Sequence, residues 1–242
     1  HCEIEEYSEI ISKWLKMFDL ASDKNFKNYI KIYKEKTIYC INESENEING
    51  KIIHTDLYPL FYNIIANIIN NENNMLLHSA VLWYNNKGIL VLGDFGSGKT
   101  SLCIEAKKCN MKTLSTDQTY LIFKDRSLKM KNGSRYMKIR NDDSVIIKME
   151  KIQPEIKIII NLIGLCDNAA SRFDLIDDAN HKIKILFKYF TWHSDIPLFS
   201  DNSILSIDRL EIKRWLTSIN TPMYNVRGNN LEIIKNIKEL LK

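Results

Sequence analysis

The chain is poor in residues that break regular structure, with four prolines and eight glycines in 242 positions. That excludes a collagen-like or proline-rich low-complexity chain. It also makes any local concentration of glycine conspicuous. Cysteine is sparse: Cys2, Cys40, Cys103, Cys109 and Cys166 include no CxxC pair and no metal-ligand spacing. Neither a disulfide framework nor a structural zinc site is expected. Scattered reduced thiols suit a cytosol, so the expected location is cytoplasmic. No apolar run approaches the ~18 residues of a membrane span, and HCEIEEYSEI does not read as a signal peptide. The formal charge is only +4 and the lysines are spread along the chain. Without a basic patch laced with aromatics, neither nucleic acid nor a membrane surface is an expected partner.

What is present is an ordinary globular composition, 45% apolar and 26% charged, which excludes a disordered chain. The length suits one large domain with a small attached module. Residues 1–70 read as that module, with mixed α+β structure. Ile10, Ile11, Trp14, Leu15 and Phe18 fall at helical spacing, and so do Leu60, Ile64, Ile65 and Ile68. Between them NYIKIYKEKTIYCIN reads as extended chain and NESENEING as a polar connector.

The pattern changes near residue 71. MLLHSAVLWYN reads as a strand, NNKG as a hairpin turn and GILVLG as its antiparallel partner. KTSLCIEAKKC reads as a helix and MKTLSTD as a strand. QTYLIFKDRSLKM reads as extended chain with a turn near Asp125. EIKIIINLIGL has the length and continuous apolarity of a strand buried on both faces. DRLEIKRWLTSI reads as an amphipathic helix, TPMYNVRG as a short strand and NLEIIKNIKELLK as a closing helix. The order predicts an α/β domain over 71–242, a mixed sheet with flanking helices.

Glycine concentrates in GDFGSGKTSL, where Gly93, Gly98, Lys99 and Thr100 complete G-x-x-x-x-G-K-[ST]. The glycines let the backbone curl so that successive N–H groups converge on phosphate oxygens. A helix starting at the loop adds its positive end. An apolar strand enters and a helix leaves, as a phosphate loop requires. The expected nucleotide-binding residues are Gly93, Asp94, Phe95, Gly96, Ser97, Gly98, Lys99, Thr100 and Ser101. Lys99 would reach the outer phosphates and the Thr100 hydroxyl would ligate magnesium. Asp117 ends the next strand. In a parallel pairing its carboxylate would lie beside the loop, as a magnesium ligand or as a proton acceptor for a hydroxyl. His78, in an otherwise apolar strand, is a second catalytic candidate beside the reading of a hydrogen-bonded core residue.

The stretch from His78 to Ile122 resembles the catalytic core of the HPr kinase/phosphorylase family, itself related to ATP-dependent phosphoenolpyruvate carboxykinase. NGSRYMKIR and TPMYNVRGNNLEIIKNI are similar to later segments of that family. Small members in peptide-modification gene clusters carry a short N-terminal module about the size of residues 1–70. The resemblance implies a P-loop, HPr-kinase-like fold, with ATP and Mg2+ as cofactors. It implies Lys99 and Thr100 on phosphates and metal, His78 beside the transferred phosphate, and Asp117 as general base or metal ligand. The sequence departs from the family at three points. Thr116 replaces one member of an acidic pair. Ser101 replaces a Glu, with Glu105 one turn further on the same helix face. The Arg-Gly-Arg-Asn-like stretch of true HPr kinases is missing, and Val226-Arg227-Gly228-Asn229 lies elsewhere in the chain.

HPr is therefore not the expected acceptor. The serine hydroxyl of a peptide or protein, or of free serine, is. The expected activity is γ-phosphoryl transfer from ATP to such a hydroxyl, with a homo-oligomeric state left open. The alternative is a degenerate, non-catalytic nucleotide-binding or regulatory module, suggested by Thr116. Arg126, Arg135 and Arg140 are weaker candidates for clamping an anion, as are Asp167 and Arg172 after the buried strand. His193 lacks partners at ligand spacing, so no metal beyond magnesium is expected.

Overall fold

The structure, a computed structural model, describes residues 29–33, 36–41, 44–49, 73–125, 127–134, 136–139, 142–148, 150, 152–165, 170–190 and 220–242. These fall into two compact units. The first contains β1 (Tyr29–Ile32), β2 (Lys36–Ile41) and β3 (Ser44–Asn49), an antiparallel sheet in that order. The extended reading of NYIKIYKEKTIYCIN holds. The reading of NESENEING as a connector does not, because Ser44–Asn49 pairs with β2 from Ile41↔Ser44 to Lys36↔Asn49. Pairing is a backbone property, and a polar, charged sequence suits an edge strand that must not recruit further neighbours. The two helical stripes expected in residues 1–70 lie outside the described residues.

The second unit is mixed α/β. Its strands are β4 (Asn74–His78), β5 (Ala80–Tyr84), β6 (Lys87–Gly93), β7 (Lys112–Ser115), β8 (Gln118–Lys124), β9 (Ser127–Gly133), β10 (Tyr136–Ile139), β11 (Asp142–Lys148), β12 (Glu155–Leu165), β13 (Arg172–Leu175) and β14 (Met223–Gly228). Its helices, among the described residues, are α1 (Lys99–Lys108), α2 (Ala179–Phe190) and α3 (Asn230–Leu240). Among the described residues β10 and β11 pair with each other alone. The other nine strands form one sheet, ordered β4-β8-β9-β12-β6-β5-β7, with β14 beside β12 and β13 beside β14. Most pairs are antiparallel, but β12 runs parallel to both β6 and β14.

Asn85 and Asn86, with φ of 46° and 61°, turn the β5–β6 hairpin. Two positive φ values at the centre match the right-handed twist of the flanking strands. Two expectations fail nearby. MLLHSAVLWYN is not one strand: it breaks at Ser79, so that β4 pairs with β8 while β5 pairs with β6. The Ser79 N–H donates to the Asp117 carbonyl at 3.1 Å, which fixes the break. Nor does β7 pair in parallel with β6, because β5 lies between them and is antiparallel to both. Two reversals restore the direction, so β6 and β7 still end on the same side of the sheet.

β6 and β12 are buried on both faces. Leu90, Leu92, Ile156 and Ile159 join one apolar cluster with Ile183, Ile185 and Leu186 of α2. Ile89, Val91, Ile158 and Ile160 join another with Leu102, Cys103 and Ala106 of α1 and Ile233, Ile234 and Ile237 of α3. Truncating any one of these leucines or isoleucines to alanine would cost about 2–5 kcal/mol. This double burial anchors the carboxyl ends of β6, β12 and β14, and the candidate site lies there. The expected helix DRLEIKRWLTSI falls outside the described residues. Among the described residues no helix is long and apolar enough to cross a membrane.

Candidate functional site

The glycine loop follows β6 and feeds directly into α1. Gly98, at φ 97°, is the N-cap, a left-handed position where an added Cβ would collide with the Leu165 side chain. Only glycine fits both the angle and the approach of β12. Because Gly98 carries no side chain, it makes no cap hydrogen bond, and the first turn of α1 holds no acidic residue. The positive end of this helix is therefore left uncompensated by its own residues. Ser97 Oγ is buried and makes no hydrogen bond. Asp94, Phe95 and Gly96 are exposed, Thr100 is half-buried in the first turn, and Ser101 is exposed.

Lys99 is 8% exposed. Its ammonium folds back onto the loop, donating to the Gly93 carbonyl at 2.5 Å and the Asp94 carbonyl at 3.1 Å. Burial lowers its pKa from 10.5, and the charges of Asp117 and Asp94 partly oppose that shift. These bonds go to loop carbonyls rather than carboxylate oxygens, and a buried cation held that way attracts an anion.

Asp117 is exposed, at φ 63°, in the turn between β7 and β8. The Gln118 N–H donates to the Thr116 carbonyl at 2.7 Å across it. A bond between residues i and i+2 over a positive-φ centre is a γ-turn of the rare, strained kind. Such strain costs about 1–3 kcal/mol and persists only where its surroundings enforce it. Here they do. The Thr116 N–H donates to the Ser134 carbonyl at 3.0 Å, and the Ser134 N–H to the Gln118 carbonyl at 2.8 Å. The Ser115 and Thr119 hydroxyls meet at 2.7 Å beneath the turn, and Thr119 Oγ1 donates to the Ser79 carbonyl at 3.2 Å. His78 ends β4, is 7% exposed, and stands opposite Gln118 in the register. The break at Ser79 and the turn at Asp117 thus bring His78 and Asp117 to one corner of the sheet, and the Asp117 charge acts on Lys99.

On the β12 side of the loop is a cleft of about 480 Å³, lined by Asp94, Phe95, Gly96, Ser97, Asn161–Leu165, Lys188 and Tyr189. Its polar wall is a connected network. Lys188 Nζ donates to Asp94 Oδ2 at 2.7 Å. The Tyr189 hydroxyl has two acceptors in range, Asn161 Oδ1 at 3.1 Å and Asp94 Oδ1 at 3.4 Å. Asn161 Nδ2 donates to Asn225 Oδ1 at 2.8 Å. Burial, then the negative charge of Asp94, hold the Tyr189 hydroxyl above its ordinary range, so it stays protonated. Sequence reasoning missed all four of Asn161, Lys188, Tyr189 and Asn225. The one available signal was an amide inside the apolar run IIINLIGL.

Glu105, expected to stand in for the carboxylate missing at Ser101, pairs with Lys108 at 2.8 Å. Thr116 is 3% exposed. Arg172 pairs with Asp174 at the surface, at 2.6 Å. Arg126, Arg135, Arg140, Asp167 and His193 lie outside the described residues. Among the described residues no group of three or more His, Cys, Asp or Glu is assembled for a metal. Magnesium usually keeps several waters and takes one or two carboxylates plus phosphates, so Thr100, Asp117 and a bound phosphate would suffice. The loop fits a nucleotide by its own features: a helix start with no side-chain cap, an orphaned Ser97 hydroxyl and a buried ammonium.

No family model matches the chain. No curated protein matches it in sequence. Among solved structures, the chain is similar to the Hpr(Ser) kinase/phosphatase of Coxiella burnetii at 16% identity and a TM-score of 0.41, over 69% of this chain and 96% of that one. At that distance the likeness assigns neither an activity nor a residue.

Proposed function

We propose that this protein is an ATP- and magnesium-dependent kinase that transfers the γ-phosphoryl group to a hydroxyl, most simply the serine of a peptide or protein, or free serine. The observation that carries the reading is Lys99, a buried ammonium at the start of an uncapped helix, flanked by Asp94 and Asp117. Residues 93–101 would hold the triphosphate through backbone N–H groups, with Lys99 turning from the loop carbonyls onto the outer phosphates. Bound magnesium would supply charge neutralisation across those phosphates, held directly by Thr100 and through water by Asp117. Asp117 would take the acceptor's hydroxyl proton as that oxygen bonds to phosphorus, and ADP would leave. His78 would sit at the same corner, beside the transferred group. The serine class of acceptor rests on the sequence resemblance of His78 to Ile122. On this reading residues 71–242 form the catalytic domain, residues 1–70 a separate module, and the site of action is the cytoplasm.

A second reading is nucleotide binding without transfer. Thr116 favours it, since the turn then carries one carboxylate rather than two, and Glu105 is engaged by Lys108. Mass spectrometry separates the two. The protein is incubated with ATP, magnesium, free serine, and peptides with internal or C-terminal serine, with Asp117→Asn run alongside. A gain of one phosphate with the native chain and none with the variant supports transfer. Nucleotide binding with no product on any acceptor supports the second reading.

A further inference from the structure

The glycine loop carries a charge of the wrong sign for phosphates. Asp94 is the one acidic residue among residues 93–101, and its charge acts on the Lys99 ammonium. A phosphate drawn to Lys99 would meet the same field with the opposite result, repulsion. We propose that Lys188, on α2, is a positioning residue that makes the loop fit for an anion, by neutralising the Asp94 carboxylate and holding it on α2. This role rests on the reading that residues 93–101 hold the phosphates.

The backbone and the side chain of Asp94 have different partners. Its carbonyl accepts the Ser97 N–H and the Lys99 ammonium, each at 3.1 Å. Its carboxylate takes Lys188, whose Nζ lies 2.6 Å from Oδ1 and 2.7 Å from Oδ2. One cation thus answers both oxygens. It is presented by a fixed element. α2 buries Ile183, Ile185, Leu186 and Tyr189 in the cluster that holds Leu90 and Leu92 of β6 and Ile159 of β12. Tyr189, next to Lys188, bonds Asn161 of β12 at 3.1 Å, and its ring centroid lies 5.5 Å from the Lys188 ammonium. α1 packs in the other cluster. The loop is therefore continued by a helix on one face of the sheet and gripped by a lysine from the other.

The fold has little need of this pair. The Lys188 and Asp94 side chains are 52% and 54% exposed, and an ion pair that open contributes little to stability. What it does change is the charge at the loop. With Lys188 in place the Asp94 carboxylate is matched, and Lys99 and the positive end of α1 face an incoming anion unopposed by it. Without Lys188 the same carboxylate would set a negative charge within reach of the phosphates.

The test uses two ligands, ATP and inorganic tripolyphosphate, each with magnesium, by titration calorimetry at low salt. Tripolyphosphate has the phosphates and no nucleoside. Lys188→Met should weaken both alike, roughly 3- to 30-fold, the effect of one unmatched charge on a multiply charged anion nearby. Asp94→Asn should act the other way and tighten both, since it removes the repelling charge and leaves the cation. Added to Lys188→Met, it should recover most of the loss. Lys188→Arg should bind like native, because any cation that reaches both oxygens serves. The Lys188→Met loss should shrink as salt rises from about 0.05 to 0.5 M, which a packing role would not do. Urea midpoints should stay near native throughout, so that affinity is read on folded protein. A Lys188→Met variant that binds like native overturns the proposal and leaves the loop in place. A loss that Asp94→Asn does not relieve also overturns it, since Lys188 would then act on the ligand directly. Lys99→Ala tests the parent reading and should weaken both ligands. If native protein binds neither ligand, or Lys99→Ala binds both as well as native, the phosphate reading itself falls, and the role of Lys188 with it.

Discussion

Two strand–helix units flank β12 and begin alike. β6 and β14 both run parallel to it, and each ends in a glycine of positive φ, 157° at Gly93 and 129° at Gly228. Their helices, α1 and α3, share one apolar cluster on the same face. They part at the connection. A single residue, Asn229, joins Gly228 to α3; its side chain accepts the Leu231 N–H at 2.9 Å, and Glu232 follows in the first turn. Residues 94–98 join Gly93 to α1; Gly98 provides no side-chain cap, and the first turn of α1 holds no acid. The positive end of α3 is closed by its own residues. That of α1 is left open, and a lysine is buried beside it. A cap stabilises by about 1 kcal/mol; on the proposed function a bound phosphate would take its place at α1.

The sharpest way to break this comparison is at the chemistry it implies. Asp117→Asn should lower phosphoryl transfer roughly 10²-fold or more, the effect of losing a general base, while ATP affinity measured by calorimetry changes little. A variant that still transfers at the native rate removes Asp117 from the role. Next in size is Lys99→Met. Charge-assisted hydrogen bonds are worth about 1.5–3 kcal/mol each, so ATP affinity should fall roughly 10- to 100-fold. Urea unfolding of the ligand-free protein should show no loss of stability, because a desolvated ammonium has been replaced by an apolar chain. A variant that binds normally, or unfolds much more easily, contradicts the picture of a loop built for a ligand rather than for the fold.

The open unit was the legible one. Glycine spacing, the apolar run before it and the helix after it are local signals, and the loop spans ten residues. β12 and the β5–β6 hairpin were readable for the same reason: continuous apolarity and an Asn-Asn turn. The break at Ser79 was not, because LLHSAVLWY has no breaker and its two halves diverge only through a bond to the distant Asp117 carbonyl. The position of Asp117 was reached by a wrong step, a parallel β6–β7 pair, and survived because two antiparallel pairings restore the same direction. The cleft was invisible. Its Asp94, Asn161 and Lys188 come from three separate stretches of chain and meet only through the fold.

The capped unit supplies a smaller, opposite effect. Asn229→Ala removes the bond to the Leu231 N–H and should cost about 1 kcal/mol of stability, visible as a lower urea midpoint. ATP and tripolyphosphate affinities should not move. Together with Lys99→Met this forms a crossed pair, one variant losing stability and keeping binding, the other the reverse. If Asn229→Ala also weakens the ligands, the two units are not separable and the contrast between them fails.

The smallest effect is a pH dependence. Burial lowers the Lys99 pKa from 10.5 in the folded protein. The folded state therefore releases this proton at a lower pH than the unfolded chain does. Between the folded value and 10.5 the unfolded chain binds more protons, so this group makes stability rise with pH across that window. Urea unfolding of native protein and Lys99→Met, compared as pH is raised towards 10.5, should show the native chain gaining on the variant as pH increases. Asp117→Asn should enlarge the gain, since the Asp117 charge is the larger of the two carboxylate effects holding the lysine pKa up. Saturating tripolyphosphate should abolish it, because an anion beside the ammonium restores the preference for the charged form. A native–variant difference that stays flat with pH, with or without the anion, would mean that Lys99 is solvated in the free protein and that the loop is not holding a buried cation in readiness for phosphate.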